Sequence, residues 1–356
     1  MATSKPTLRD VAAAAEVSPM TASNALHGKP GVKESTRAKV VAAAKKLDYK
    51  INLTASMLKS GRSNIIHVIV NEFDSPFYSK LTQALSNEIV SRGLIPFIEQ
   101  TQYSPDAAEH ALSSNPFSGQ LFDGEILHAT GLGTNVPLAK LNGGRPFVLV
   151  DACEETPTVD AVNFPNEEAE RAAVQHLIER GCRNVALVGH RFVPRADLAH
   201  AQNAFALRLR GACGALADAG LPYAESTVFE AGDVASGIAV GHEIADQIRN
   251  AYSENAFDGV CCANDFAAFG VIRGLADYGI RVPEDVKVIG FDGVTSGSYA
   301  TPSLSTIQVD LDQLAKFSLD MIAERIERRE EDGSEPLPSK RATIGYQLVE
   351  RESTAV

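Results

Sequence analysis

Polar side chains stand at the ends of several apolar runs in this chain: Asn71-Glu72-Phe73-Asp74, Asp151, Gly189-His190, Asn264-Asp265 and Asp292. Carboxylates and amides pair with hydroxyl donors and acceptors, so this set suits capture of a small hydroxyl-rich molecule. Covalent chemistry has no comparable set. No Gly-x-Ser-x-Gly elbow occurs. The eight His show no close metal spacing, and the five Cys (153, 182, 213, 261 and 262) lack the paired spacing of a zinc site. Reduced, buried thiols are the expectation for those cysteines. Gly131-Leu132-Gly133-Thr134 lacks the further glycine of a phosphate loop and reads as a plain turn. Glu327 to Asp332 reads as a solvated helix end. No catalytic residue, metal or cofactor is expected.

The polar positions need elements to hold them. Ile65 to Val70 is a continuous apolar run, the pattern of a strand covered on both faces. Tyr78 to Arg92 reads as a helix ending at Gly93, and Ile95 to Gln100 as the next strand. Further strands are expected at Gly124–Ala129, Phe147–Asp151, Val185–Val188, Gly259–Ala263 and Val286–Phe291. Strands alternating with helices predict an α/β body with parallel sheets, and such bodies bind ligands beyond the carboxyl ends of their strands.

The first sixty residues differ. Net charge is −12 overall, yet residues 1–64 hold eleven Lys and Arg against four Asp and Glu, a net +7, which leaves the remainder at −19. A basic head on an acidic body is expected where only the head meets phosphate. Thr7 to Asp10 has the form of a capping box, opening a helix from Leu8 to about Ala15. Glu16-Val17 makes a turn, and Ser18-Pro19 restarts a helix that stops near Gly28. A third helix, about Glu34 to Leu47, is expected to bury Val40, Val41 and Leu47. This is a helix-turn-helix pattern, and its second helix would present Pro19, Met20, Thr21, Ser23 and Asn24 to a major groove. Asn24 has the two-pronged amide that matches adenine.

Thr7-Leu8-Arg9-Asp10-Val11-Ala12, Val17-Ser18, Thr21, Ser23 and Leu26-His27-Gly28 together resemble the N-terminal signature of the LacI/GalR family. Tyr49, Asn52, Ala55, Leu58 and Gly61-Arg62 are similar to that family's hinge. The resemblance runs on through Asp74-Ser75-Pro76-Phe77-Tyr78, Arg208-Leu209-Arg210-Gly211, Asn264-Asp265, Gly290-Phe291-Asp292 and the closing Leu348 to Thr354. It implies that Thr7, Ser18 and the second helix contact DNA. It also implies that Asn52, Ala55 and Leu58 sit at the minor groove, with Leu58 as a wedge that kinks the duplex. In the body it implies that Arg208, Asn264 and Asp292 meet an effector, that Phe77 and Tyr78 wall one face of it, and that Asp74 and Asp151 complete the site. Departures are visible: Asn24 stands where Arg is common, Pro165-Asn166 replaces Asp-Asn, and Gly232 to Gly237 lacks an aromatic usual there.

The implied fold is an α-helical helix-turn-helix head plus an α/β two-lobed, periplasmic-binding-protein-like body with parallel sheets. Expected boundaries are 1–48 for the head and 49–64 for the hinge. Residues 65–164 with 311–338 would form one lobe, and 165–310 with 339–356 the other. The implied function is a sequence-specific transcription regulator, a repressor, controlled by a sugar-like effector. Its partners would be pseudo-palindromic operator DNA, the carbohydrate effector and a second copy in a homodimer. An exported sugar-binding receptor is the alternative, and an enzyme on sugars or nucleosides a third. Met1 to Arg9 has no apolar core of a signal segment and no membrane-length apolar run is present, so the expectation is a cytoplasmic protein that meets no membrane.

Overall fold

The computed structural model describes residues 6–26, 28, 30–49, 62–113, 121–128, 144–153, 158–250, 256–330 and 338–355. They fall into two compact units divided between Ser63 and Asn64. Asn52, Ala55 and Leu58 lie outside the described residues.

The head contains α1 (Leu8–Ala14), α2 (Pro19–Leu26) and α3 (Glu34–Lys46). Local bonds start its first two helices. The Thr7 N–H donates to Asp10 Oδ2 at 2.7 Å, and the Asp10 N–H donates back to Thr7 Oγ1 at 3.4 Å, closing the capping box. The Ser18 Oγ accepts from the Thr21 N–H at 3.1 Å. Glu16 turns the chain with φ 54°, a left-handed conformation that a side chain adopts at a cost of roughly 1–2 kcal/mol. Arg37 on α3 donates to the Ala25 carbonyl at 2.8 Å, satisfying the end of α2. The core is Val11, Ala12, Ala15, Ala22, Ala25, Val40, Ala43 and Ala44. Side chains this small let three short helices approach closely. Val41 does not join them: it is 50% exposed. Successive residues on a helix point about 100° apart, so only one of Val40 and Val41 can face this narrow core.

The body alternates as its pattern predicts. In chain order it runs β1 (Ile65–Val70), α4 (Pro76–Ser91), β2 (Ile95–Gln100), α5 (Pro105–Ser113), β3 (Gly124–His128), β4 (Phe147–Val150) and β5 (Asp160–Asn163). It then continues through α6 (Asn166–Glu179), β6 (Val185–Val188), α7 (Ala204–Asp218), β7 (Val228–Phe229), α8 (Val234–Asn250), β8 (Gly259–Cys262), α9 (Asp265–Asp277), β9 (Lys287–Asp292) and β10 (Ser305–Val309). Last come α10 (Leu311–Glu330), β11 (Arg341–Thr343) and β12 (Tyr346–Val349). Two sheets result, ordered β11-β5-β4-β3-β1-β2 and β12-β10-β9-β8-β6-β7. Every pairing is parallel except β10 with β12.

The chain passes between the sheets after β5, after β10 and after β11. The last crossing corrects the expected boundary at 338/339. Arg341–Thr343 pairs with Ala161–Asn163 in the first sheet, and the chain enters the second only at Tyr346. β5 would otherwise end its sheet with an unpaired edge, and β11 covers that edge.

Within the second lobe α8 and α9 cross on glycines. Gly237 and Gly241 face Gly270 and Gly274, and a Cβ at Gly241 would lie 2.6 Å from the Val271 carbonyl oxygen. Only hydrogen side chains permit that approach. No helix among the described residues is long and apolar enough to cross a membrane.

Candidate ligand-binding cleft

In both sheets the strand order reverses beside the first strand of the lobe, β1 in one and β6 in the other. Open α/β sheets bind ligands at such a switch point. The carboxyl ends of the two sheets face each other across a cavity of about 470 Å³. The seven residues that the family resemblance assigns to the effector line it: Asp74, Phe77, Tyr78, Asp151, Arg208, Asn264 and Asp292; of the other strand-end residues Glu72 does, while Asn71, Phe73, Gly189, His190 and Asp265 do not.

Arg208 on α7 is the central cation. Its Nε donates to Asn166 Oδ1 at 2.9 Å, and its NH1 donates to the Ala263 carbonyl. Asn166 Nδ2 in turn donates to Asp151 Oδ1 at 2.8 Å. The guanidinium lies 3.6 Å from the Phe291 ring centroid and 4.0 Å from Asp292. Arg208 is therefore held flat and oriented by the protein, with NH2 as the group left for a ligand among the described residues. Of the Pro165-Asn166 pair, Asn166 keeps the residue usual there and bridges Arg208 to Asp151.

Asp151 and Asp292 have φ of 63° and 110°. Non-glycine residues adopt these values rarely, and such strain gathers at functional positions. Burial pushes the Asp151 carboxyl up, against the opposing pull of Arg208 and Asn166. Burial pushes Asp292 well above the carboxylate range; Arg208 opposes this, and Asp265, Glu170 and Asp151 reinforce it.

Asn264 has a second task. Its Oδ1 caps α9 by accepting from the Ala267 N–H at 2.7 Å; its Nδ2 donates to the Gly232 carbonyl at 3.4 Å and has a second N–H to offer a ligand. Asp265, next in sequence, turns away from the cavity into the lobe. It accepts from Thr306 Oγ1 at 2.6 Å and the Val294 N–H at 2.7 Å, which anchors the turn after Asp292. Lys80, from α4 in the other lobe, donates to the Gly293 carbonyl of that same turn at 2.8 Å. His190 also turns inward, 3.5 Å from the buried Glu170.

Burial holds the Asp265 carboxyl up at about 7. Unfolded, it would lose its proton near 3.8. Between those values the folded chain binds the extra proton, so this contribution to stability is complete below pH 4 and lost as pH rises through 7. Asp265→Asn should flatten that slope. Wild type should lose melting temperature relative to the variant between pH 4.5 and 7.5, as calorimetry at matched ionic strength would read. Parallel curves would show that Asp265 titrates normally.

Sequence reasoning missed much of the wall. Tyr103, Phe164, Phe205 and Phe266 line the cavity with Phe77 and Tyr78, and His128 and Asp233 add polar atoms beside Glu72. Phe77 packs edge-on to Tyr78 and Phe164, with centroids at 5.2 and 5.7 Å. Asn71 donates to the Tyr78 hydroxyl at 2.9 Å and lies 3.4 Å from His128 Nδ1. Burial, aided by Arg208, lowers His128 to about 3, so its ring is neutral. Burial pushes the Tyr78 hydroxyl up to about 12. Gly232–Gly237 brings no aromatic side chain, and Phe205 and Phe266 supply the rings of that lobe's wall. No spacing signal unites these rings, because each comes from a different segment.

In the head, Thr7, Ser18, Pro19 and Met20 are exposed, Met20 by 64%, while Thr21, Ser23 and Asn24 are half-buried. Ala22 and Ala25 turn inward. The polar face of α2 thus remains outward around a small buried stripe.

A helical DNA-reading pattern ahead of a two-lobed α/β body defines a ligand-controlled regulator, and comparison with known proteins agrees. Residues 7–52 match the family described as bacterial regulatory proteins, lacI family. Residues 174–354 match the periplasmic binding protein-like domain. The chain is 27% identical over 327 residues to the HTH-type transcriptional repressor PurR of Aliivibrio fischeri, covering 92% of this chain and 93% of that one. A putative LacI-family regulator from Sanguibacter keddieii is 30% identical, with TM-score 0.70, over 83% of this chain and 100% of that one. A CelR–cellobiose complex is 27% identical, with TM-score 0.68, over 98% and 99%.

The chain belongs to the LacI family of bacterial regulatory proteins. It is a DNA-binding transcription regulator of the repressor type. Its relatives are regulators rather than enzymes, which sets the enzyme reading aside and does not favour the exported receptor.

Proposed function

We propose that this chain is a homodimeric repressor, acting in the cytoplasm, whose operator affinity is set by a hydroxyl-rich, sugar-like effector held between the lobes. The observation that carries the reading is the convergence of strand ends from both sheets on one cavity with aromatic walls and a polar floor. A pyranose has apolar faces and a rim of hydroxyls, and such a cavity fits both. Arg208 NH2, Asn264 Nδ2 and the Asp292 carboxyl would bind the hydroxyls. Asp151 would hold Arg208 in place through Asn166, and Asp74 would close the rim. Phe77 and Tyr78 would cover a ring face. The cellobiose-bound relative supports this class of ligand. A flat purine-like ring is the second reading, favoured by aromatic side chains from both lobes and by the relatives named PurR.

Both lobes contact the effector, so it prefers one lobe arrangement over another, and that preference is what shifts the DNA-binding equilibrium. Residues 49–64 would carry the change to residues 1–48. Two heads of a dimer match a pseudo-palindromic operator. Thr7, Ser18 and Pro19 would position the head on phosphates, while Met20, Thr21, Ser23 and Asn24 face base edges. Asn52, Ala55 and Leu58 would act at the minor groove.

Fluorescence anisotropy with promoter DNA tests the reading. Asn24→Ala should cost about 1–3 kcal/mol of specific affinity and leave non-specific binding unchanged. Equal losses on specific and random DNA would remove Asn24 from base reading. No specific binding at moderate salt, with or without candidate effectors, would sink the function itself.

A further inference from the structure

The charged groups of the cleft are strongly unequal. Among the described residues, Glu72, Asp74, Asp151, Asp233 and Asp292 line it, against Arg208 as the only lysine or arginine of that lining. Arg208 is already matched: Asp292 lies 4.0 Å away, and Asn166 links the guanidinium to Asp151. His128 adds no charge, being neutral across the physiological range.

Helix N-termini could reverse this balance, because their free N–H groups attract anions. Three of those at the cleft carry a side-chain cap, each taking up one N–H. Asn203 caps α7 by accepting from the Ala206 N–H at 2.9 Å. Asp233 caps α8 by accepting from the Ser236 N–H at 2.8 Å, and Asn264 caps α9. α4 has no side-chain cap; it opens on Pro76, whose missing N–H removes one donor, with the Asp74 carboxylate beside it. Protonation of Asp151 and Asp292 would still leave Glu72, Asp74 and Asp233 against Arg208.

From this arrangement we infer that the cleft admits an uncharged effector and rejects its phosphorylated or carboxylated counterpart. The inference rests on the reading of this cleft as the effector site. A concave, low-dielectric site focuses its field, and closure of the lobes strengthens the repulsion by excluding water. Free sugars and free bases meet this requirement; sugar phosphates, uronic acids and nucleotides do not.

The sign of the cleft can be read without knowing the ligand. The chain contains no Trp, so Phe205→Trp, at a cleft residue 42% exposed, provides a single reporter. Its fluorescence in the full-length protein is titrated with cesium, iodide and neutral acrylamide. A potential of about one thermal unit changes local ion concentration about threefold. Relative to free tryptophan and normalised to acrylamide, cesium should quench better by about that factor and iodide worse. Better quenching by iodide overturns the inference. Tyr103→Trp, on the other lobe, repeats the measurement should the first variant fold poorly.

A second arm compares matched pairs by thermal shift and operator release: glucose, cellobiose and adenosine against their phosphates, and glucose against glucuronic acid. Any compound that acts should bind at least about tenfold tighter in its uncharged form. A phosphorylated or acidic member that binds as well or better overturns the inference. Occupancy that leaves operator binding unchanged overturns the effector reading instead, while the quenching result still decides the charge of the cleft.

Discussion

Arg208→Ala should abolish control by the effector while leaving operator binding in its absence intact. Arg208 reaches Asn166, the Ala263 carbonyl, the Phe291 ring and Asp292 from one buried position. Removing it withdraws the cation at the floor of the cleft and releases the Asn166–Asp151 arm. Truncating one partner of a buried, hydrogen-bonded charge network costs about 2–5 kcal/mol, so effector affinity should fall by about 30-fold to a few thousandfold. Arg208→Lys should not rescue it. An ammonium cannot keep a planar stack on Phe291 while donating to two separate acceptors. Calorimetric titration of effector, beside anisotropy on operator DNA, separates the two activities. An unchanged midpoint for effector-driven release in Arg208→Ala would remove Arg208 from the site.

Gly270→Val should disrupt the second lobe more than any truncation on its surface. Gly270 on α9 packs against the backbone of α8, and a Cβ there would fall inside van der Waals distance of the Val234 carbonyl oxygen and of Gly237. The blocking atoms are backbone, so no rotamer change relieves them. The helices must move apart, opening the layer that buries Val240, Ile244, Ala267 and Val271. Overpacking of this kind costs about 1–3 kcal/mol, and with a β-branched side chain against backbone the upper end is expected. Chemical denaturation should show a lowered midpoint. The head forms a separate compact unit, so non-specific DNA binding should persist where effector binding is lost. A midpoint within error of wild type would mean that the α8–α9 crossing is looser than its glycines imply.

What could be read from the sequence follows from range. Thr7 meets Asp10 and Ser18 meets Thr21, both three residues apart. Bonds of that kind form within one helical turn, so residue type and spacing suffice to foresee them. The charge contrast between head and body is likewise independent of fold. Long apolar strands such as β1 announce themselves. The four-residue β5 and three-residue β11 do not, and β11 finds its partner across most of the body. Val41 shows the same limit at short range. Its apolarity suggested a core position, but the size of the core decided which of two adjacent valines entered it.

By itself, then, the sequence determined a capped helix-turn-helix head, an alternating α/β body and the polar strand ends that gather at one rim. Each follows from local bonding, hydrophobic period or residue chemistry. Only the tertiary structure decided what the gathered residues do. It spent the Asn264 oxygen on a helix cap, turned Asp265 into the lobe, fixed Arg208 through Asn166 and brought Tyr103, Phe164, Phe205 and Phe266 into one wall. Those outcomes depend on which segments meet, and segments far apart in the chain meet through the packing of whole layers rather than through any local signal.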